Sequence, residues 1–239
     1  PAAGPPCYPV ATEPLPMTAH PRRLSPLLLA AALVATAGCE VDAAAERFER
    51  AIEEAHNLKG EYREGTTVGH EGWQAIVKPE PIGTVLAITP YNYPLSTTAL
   101  EVAPALAAGN SVILKPASKT PVSAAILADV VSNLDLPTGA FNFVPGRASA
   151  IGDLLVGDDR INMVTMTGSS AAGKHVARES GMVNLHMELG GNAPAVVFPD
   201  ADLSDVAGSC AKGSFKYAGQ RCSARSISVW ASSTHVVSG

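Results

Sequence analysis

Short apolar runs bounded by glycine and proline alternate with alanine-rich stretches through the middle of this chain, and that alternation constrains the fold more than any other feature. GTVLAITP (Gly83–Pro90) and GNSVILKP (Gly109–Pro116) are too short for stable helices and show no polar alternation, so both read as strands buried on two faces. LSTTALEVAPALAAG lies between them and TPVSAAILADVVSNL follows; each is long enough for a helix, and the second is stopped by Pro137 and Gly139. FNFVPG, INMVTMTG and NAPAVVF continue the pattern. The spacing predicts βαβ units, an α/β fold with a parallel sheet covered by helices on both faces.

The flanks differ in texture. Residues 1–26 hold eight prolines, a density that removes backbone donors and predicts little regular structure. MTAHPRRLSPLLLAAALVATAGC (Met17–Cys39) places two arginines before an apolar core and a small-residue approach to cysteine. It reads as a buried helix, as a bacterial lipoprotein signal, or as the trace of a wrong start or shifted frame; the buried helix is preferred. VDAAAERFERAIEEAHNLKG spaces Ala45, Phe48, Ile52 and Leu58 near helical period and predicts an amphipathic helix ended by Gly60. The organisation expected is a proline-rich then apolar segment 1–40, a helical segment 41–74, an α/β domain 75–218 and a cysteine-bearing segment 219–239.

Whole-chain properties exclude several classes. A formal net charge of −5 without long charged runs argues against a nucleic-acid partner. Leu24–Cys39 falls short of the roughly 20 residues a membrane-spanning helix needs, so no membrane partner is expected. Cys7, Cys39, Cys210 and Cys222 form neither a disulfide framework nor a metal-ligand pattern, and no metal is expected. Cys210 reads as a packed small residue and His186 as a structural histidine.

Chemistry concentrates at four places. VTMTGSSAAGKH sets Gly168 and Gly173 between an apolar run and a helix, where free amides and the helix dipole favour a phosphate. It nearly matches G-x-x-x-x-G-K-[ST], but His175 stands where a magnesium-binding hydroxyl is needed, so a dinucleotide suits it better than ATP; a plain strand-to-helix turn is the bland reading. MELGGN places Glu188 before a double glycine, GQRCSA places Cys222 after a glycine turn, and PYNYP holds Asn92 between prolines at a strand end.

Together with PIGTVLAITPYNYPL, APALAAGNSVILKPASKTP, FNFVPG, MTGSSAAGK and ELGGNAPAVVFPDADL, these pieces resemble the aldehyde dehydrogenase superfamily from about Val41 to Ala224. The resemblance implies that the sheet is the Rossmann-like cofactor-binding domain of such an enzyme. It implies oxidation of a small aldehyde to a carboxylic acid with NADP or NAD: Cys222 as nucleophile, Asn92 with the Cys222 amide as oxyanion donors, and Glu188 as general base on the thioester. Acyl-CoA-releasing relatives often lack that glutamate, so a free acid is the expected product.

Cofactor contacts implied by the same resemblance fall on Thr89, Pro90, Tyr91, Lys115, Ser118, Lys119, Gly146, Thr167, Gly168, Ser169, Gly173 and Leu189. Lys115 corresponds to the lysine that bonds the adenosine ribose. NAD-preferring members often carry a glutamate where Ser118 stands, followed here by Lys119, so NADP is the preferred expectation.

The resemblance also sets what is expected at the ends. Members continue past the cysteine through a second domain with a Glu-x-Phe motif, whereas Gly239 lies seventeen residues past Cys222 and RSISVWASSTHVVSG does not align with the Val-x-Arg-type strand expected after Ala224. The expectation is a truncated or frame-shifted product with the second domain largely missing, and a catalytically inactive nucleotide-binding remnant is the alternative function. A homodimer or homotetramer is expected of the full-length family. A cytoplasmic location is expected, or export if Met17–Cys39 is a signal. Motifs resembling lactaldehyde, non-phosphorylating glyceraldehyde-3-phosphate and succinate-semialdehyde dehydrogenases do not select one aldehyde.

Overall fold

The computed structural model describes residues 39–225, 228–231 and 236–238. The proline-rich start, the Met17–Cys39 segment up to residue 38, and parts of RSISVWASSTHVVSG lie outside the described residues. Helix α1 (Cys39–Asn57) leads into a two-stranded antiparallel ladder of β1 (Glu61–Glu64) and β2 (Gln74–Val77). The expected helical segment 41–74 is therefore helical only to Asn57. Glu61–Glu64 pairs instead with Gln74–Val77 across a connection holding Gly65, Gly69 and Gly72.

The body is built by β3 (Thr84–Ile88), α2 (Ser96–Ala107), β4 (Ser111–Lys115), α3 (Pro121–Ser132), β5 (Phe141–Phe143), α4 (Ala148–Val156), β6 (Met163–Thr167), α5 (Ser170–Glu179) and β7 (Asn184–Glu188). The five strands form one parallel sheet in the order β5-β4-β3-β6-β7. The chain steps outward from β3 to β5, then returns to pair β6 on the other side of β3. That reversal opens a crevice between the C-terminal ends of β3 and β6, the place where open parallel sheets bind ligands.

Alternate residues of the central strands serve two cores, as the pleat requires. Ala87, Val112 and Leu114 pack with Phe48 and Ile52 of α1, Ala99 and Val102 of α2, and Leu127 and Val131 of α3. On the opposite face Leu86, Val164 and Met166 meet Val156 of α4, Ile161 just before β6, and Val176 of α5. Fully burying one such side chain contributes about 1.5–3 kcal/mol, so these two layers fix the sheet on which the site stands.

NAPAVVF departs from the expected alternation. Its strand β8 (Ala195–Val197) does not extend the five-stranded sheet but pairs in parallel with β9 (Ser228–Ala231), which pairs antiparallel with β10 (Val236–Ser238). The break falls at Gly190–Ala193, where Ala193 takes φ 37° and the chain leaves the β7 edge. Helix α6 (Leu203–Phe215) follows, with Asp202 accepting from the Ser204 and Asp205 amides, and a short 3₁₀ turn (Lys216–Gly219) delivers the Cys222 segment. Among the described residues no helix is long and apolar enough to cross a membrane.

Candidate active site

The crevice at the strand reversal is an open cleft of about 980 Å³. Its walls come from the ends of β3, β4, β6 and β7 and from the turn after α6, segments far apart in sequence. Of the residues singled out from sequence, Thr89, Pro90, Tyr91, Asn92, Lys115, Ser118, Thr167, Gly168, Ser169, Glu188, Leu189 and Cys222 all line it. Lys119, Gly146 and Gly173 do not.

Those three stand just behind the wall. The Lys119 ammonium lies 5.2 Å from the centre of the Tyr91 ring, within cation–π range. The Ser118 hydroxyl donates to the Gly146 carbonyl at 2.8 Å, joining the loops after β4 and β5. Gly173, in the first turn of α5, gives Leu189 room: a Cβ there would stand 2.5 Å from Leu189 Cδ2.

Thr89 is buried at the crevice floor, its hydroxyl 3.2 Å from that of Thr98, which gives its own proton to the Pro94 carbonyl at 2.6 Å. Lys115 ends β4 and is 4% exposed, its ammonium donating to the Pro116 carbonyl at 3.4 Å. Burial pushes its pKa below the usual lysine range. Among the described residues no carboxylate lies within ion-pair distance of it, so a buried cation faces the cleft with its charge uncompensated by protein.

The strand-to-helix turn between β6 and α5 forms as expected, with a division of labour the sequence did not reveal. The Gly168 amide is already used, donating to the Glu188 carbonyl at 3.0 Å as the ladder's last rung. Ser169 caps α5, its hydroxyl accepting from Ala172 N at 3.2 Å. The free donors of the turn are therefore the amides of Ser169, Ser170 and Ala171 rather than that of Gly168, and of these residues Ser169 lines the cleft.

Across the cleft, Asn92 meets the cysteine segment. Its side-chain amide donates to the Gln220 carbonyl at 2.7 Å, and Tyr93 packs on Tyr217 with ring centres 4.5 Å apart. Tyr217 and Ala218 take left-handed φ of 55° and 53°, a conformation that side-chain-bearing residues adopt at some cost in the turn presenting Cys222. Cys222 and Glu188 are both exposed to the cleft.

Sequence reasoning missed Glu101. This α2 carboxylate is buried, and accepts from the hydroxyls of Thr165 and Thr167, the latter at 2.6 Å. The signal was available: Glu101 is the single charge in STTALEVAPALA, a helix packed into the core. Thr167, expected to face a cofactor, thus commits its hydroxyl to Glu101.

Comparison with known proteins supports the same region. Residues 28–235 match the aldehyde dehydrogenase family. The chain is 41% identical over 187 residues to the NADP-dependent glyceraldehyde-3-phosphate dehydrogenase of Streptococcus equinus, and 38% identical over 187 residues to a lactaldehyde dehydrogenase of Methanococcus maripaludis. Each match covers 77% of this chain and 39% of the relative, so the chain spans about two fifths of those proteins' length. The crystal structure of NADP-dependent glyceraldehyde-3-phosphate dehydrogenase from Bacillus halodurans, complexed with NADP, superposes with a TM-score of 0.83 at 34% identity, covering 88% of this chain and 49% of that one.

Proposed function

The chain belongs to the aldehyde dehydrogenase family, and from that premise we propose that it is the family's dinucleotide-binding part, which holds NADP in preference to NAD without by itself turning over an aldehyde. The observation that carries the reading is Lys115: a buried ammonium without a carboxylate partner, in the same cleft as Ser169, whose backbone amide is free at the start of α5. Cation and helix start together fit a ligand with a ribose and a pyrophosphate. Ser118 and Lys119 present no carboxylate to a 2′-phosphate. The complex of the Bacillus halodurans relative with NADP points the same way.

On this reading the family reaction falls to Cys222, Asn92 and Glu188, which line one cleft. A bound dinucleotide would supply the hydride acceptor for oxidising an aldehyde. Cys222 Sγ is the nucleophile for the carbonyl carbon, and the developing oxyanion takes an N–H of Asn92 and the Cys222 amide. An asparagine amide has two N–H groups; Gln220 takes one, which leaves the second. Glu188 removes a proton from the water that cleaves the acyl-Cys222 thioester.

Exposure argues against turnover by this chain alone. Glu188 is 62% exposed and Cys222 is exposed, so the described residues do not exclude water from the reacting groups.

The test is a titration of the purified chain with NADPH and NADH, followed by an assay for aldehyde-dependent NADPH formation. Saturable binding that is tighter for NADPH, weakened in Lys115→Met and unaccompanied by turnover is the expected result. Absence of binding to either nucleotide overturns the reading. Turnover that vanishes in Cys222→Ala would replace it with complete aldehyde oxidation.

A further inference from the structure

Edge strand β7 places His186 and Glu188 on one face, two residues apart, opposite Thr165 and Thr167 of β6: the register pairs Thr165 with His186 and Thr167 with Glu188. Buried Glu101 reaches this patch from α2 and takes both threonine hydroxyls on its carboxylate. His186 Nδ1 lies 3.0 Å from Thr165 Oγ1 and 3.9 Å from Glu101 Oε2. Its other nitrogen, Nε2, lies 3.9 Å from Glu188 Oε1.

These bonds decide the histidine's tautomer. Thr165 has one proton and gives it to Glu101, so toward His186 its oxygen only accepts. Nδ1 must then carry the hydrogen, and Nε2 is left with a lone pair on the side of Glu188. A reading of His186 as merely structural leaves this orientation unexplained.

We propose that His186 is a positioning residue that relays the proton Glu188 takes from water, held for that task by the Thr165–Glu101 pair. This rests on the reading of Glu188 as general base. Water gives one proton to Glu188 Oε1 and its oxygen bonds to the acyl carbon of Cys222, whose C–S bond then breaks. The proton passes from Glu188 to His186 Nε2, the 3.9 Å gap closing by rotation of the exposed glutamate or through one bridging water. The resulting imidazolium keeps its Nδ1 hydrogen on Thr165, with the Glu101 carboxylate opposite its charge. His186, 52% exposed, then releases the Nε2 proton to solvent and the carboxylate of Glu188 is restored.

Two measurements on the full chain test this. Nitrogen-15 correlation spectra of the neutral imidazole are expected to show His186 protonated at Nδ1, and Thr165→Val to move the hydrogen to Nε2; an Nε2-protonated ring in the unaltered chain overturns the proposal. The second measurement acylates Cys222 with p-nitrophenyl acetate and follows loss of the acyl group by intact mass, which requires no nucleotide. Glu188→Gln is expected to slow deacylation about 100-fold, and His186→Gln on the order of tenfold with recovery on adding imidazole. If Glu188→Gln leaves the rate unchanged, the general-base reading fails and the relay with it. If Glu188→Gln slows deacylation and His186→Gln does not, the base stands and the relay is overturned.

Discussion

The side-chain amide of Asn92 donates a 2.7 Å hydrogen bond to the carbonyl oxygen of Gln220, tying the end of β3 to the turn that carries Cys222 two residues later. The two segments are 128 residues apart, so this contact, with the Tyr93–Tyr217 pair beside it, sets where the thiol stands relative to the sheet. Asn92→Ala removes the donor and leaves the turn, already strained at Tyr217 and Ala218, less restrained. Losing one such bond is worth about 0.5–1.5 kcal/mol, so the accessible population of the turn should rise about 2- to 10-fold. Hydrogen exchange of the Gln220 and Arg221 amides, which are bonded within that turn, should accelerate by that factor when read by peptide mass. An unchanged rate would show that the bond does not hold the turn.

A second long-range contact holds the site from below. Leu95, the residue preceding α2, has no side chain able to cap a helix, and the Leu95 and Ser96 amides donate instead to Glu40 Oε1 of α1 at 2.8 and 3.1 Å. Glu40→Ala should lower stability by about 0.5–2 kcal/mol, as loss of an ordinary N-cap does. Glu40→Gln keeps an accepting oxygen and should lose less. Urea unfolding of the three proteins checks the order; equal midpoints for all three would refute the capping role.

His175 gives the fold a pH dependence of definite sign. Its Nε2 lies 2.7 Å from Asp153 Oδ1, linking α5 to α4. That hydrogen bond, and then the charge of Asp153, raise the His175 pKa above the usual histidine value; Glu179 adds slightly and Arg178 opposes. A raised folded-state pKa stabilises the fold fully below about 6.5, the unfolded value, and loses that contribution as pH rises through the folded value. The urea midpoint of His175→Asn should therefore fall furthest below that of the unaltered chain near pH 5, and the gap should narrow near about pH 9. A gap that widens with pH would contradict the pairing.

The parallel sheet, its helices and most of the cleft were legible because each rests on local signals. Short apolar runs bounded by Gly and Pro gave β3 and β4, and the glycine turn after INMVTMT gave the start of α5. What escaped depends on tertiary contact. Gly168 looked like a phosphate-binding amide because no sequence rule shows that the neighbouring strand's Glu188 carbonyl accepts from it. NAPAVVF has the composition of a sheet strand, but the left-handed backbone at Ala193 sends it to a different sheet. His186 and Glu188 at i and i+2 share a face only because β7 persists through both, and what that face meets is supplied by Glu101, 85 residues earlier.

Dinucleotide choice is open to a charge test at Ser118. Its hydroxyl holds Gly146 at 2.8 Å, and it precedes Lys119, whose ammonium rests by the Tyr91 ring. Ser118→Glu would set a carboxylate where the proposed binding mode puts the 2′-phosphate of NADP, while offering ribose hydroxyls of NAD an acceptor. A like-charge contact in this exposed setting costs on the order of 1 kcal/mol, so the ratio of NADPH to NADH affinity should fall about fivefold to tenfold. Ser118→Ala breaks the same bond to Gly146 without adding charge, and should leave the ratio where it was. Both variants shifting the ratio equally would assign the effect to the loop joining β4 and β5, and would remove Ser118 as the discriminating position. High salt separates the two causes further: screening should restore the ratio in Ser118→Glu, whereas a displaced loop would not respond.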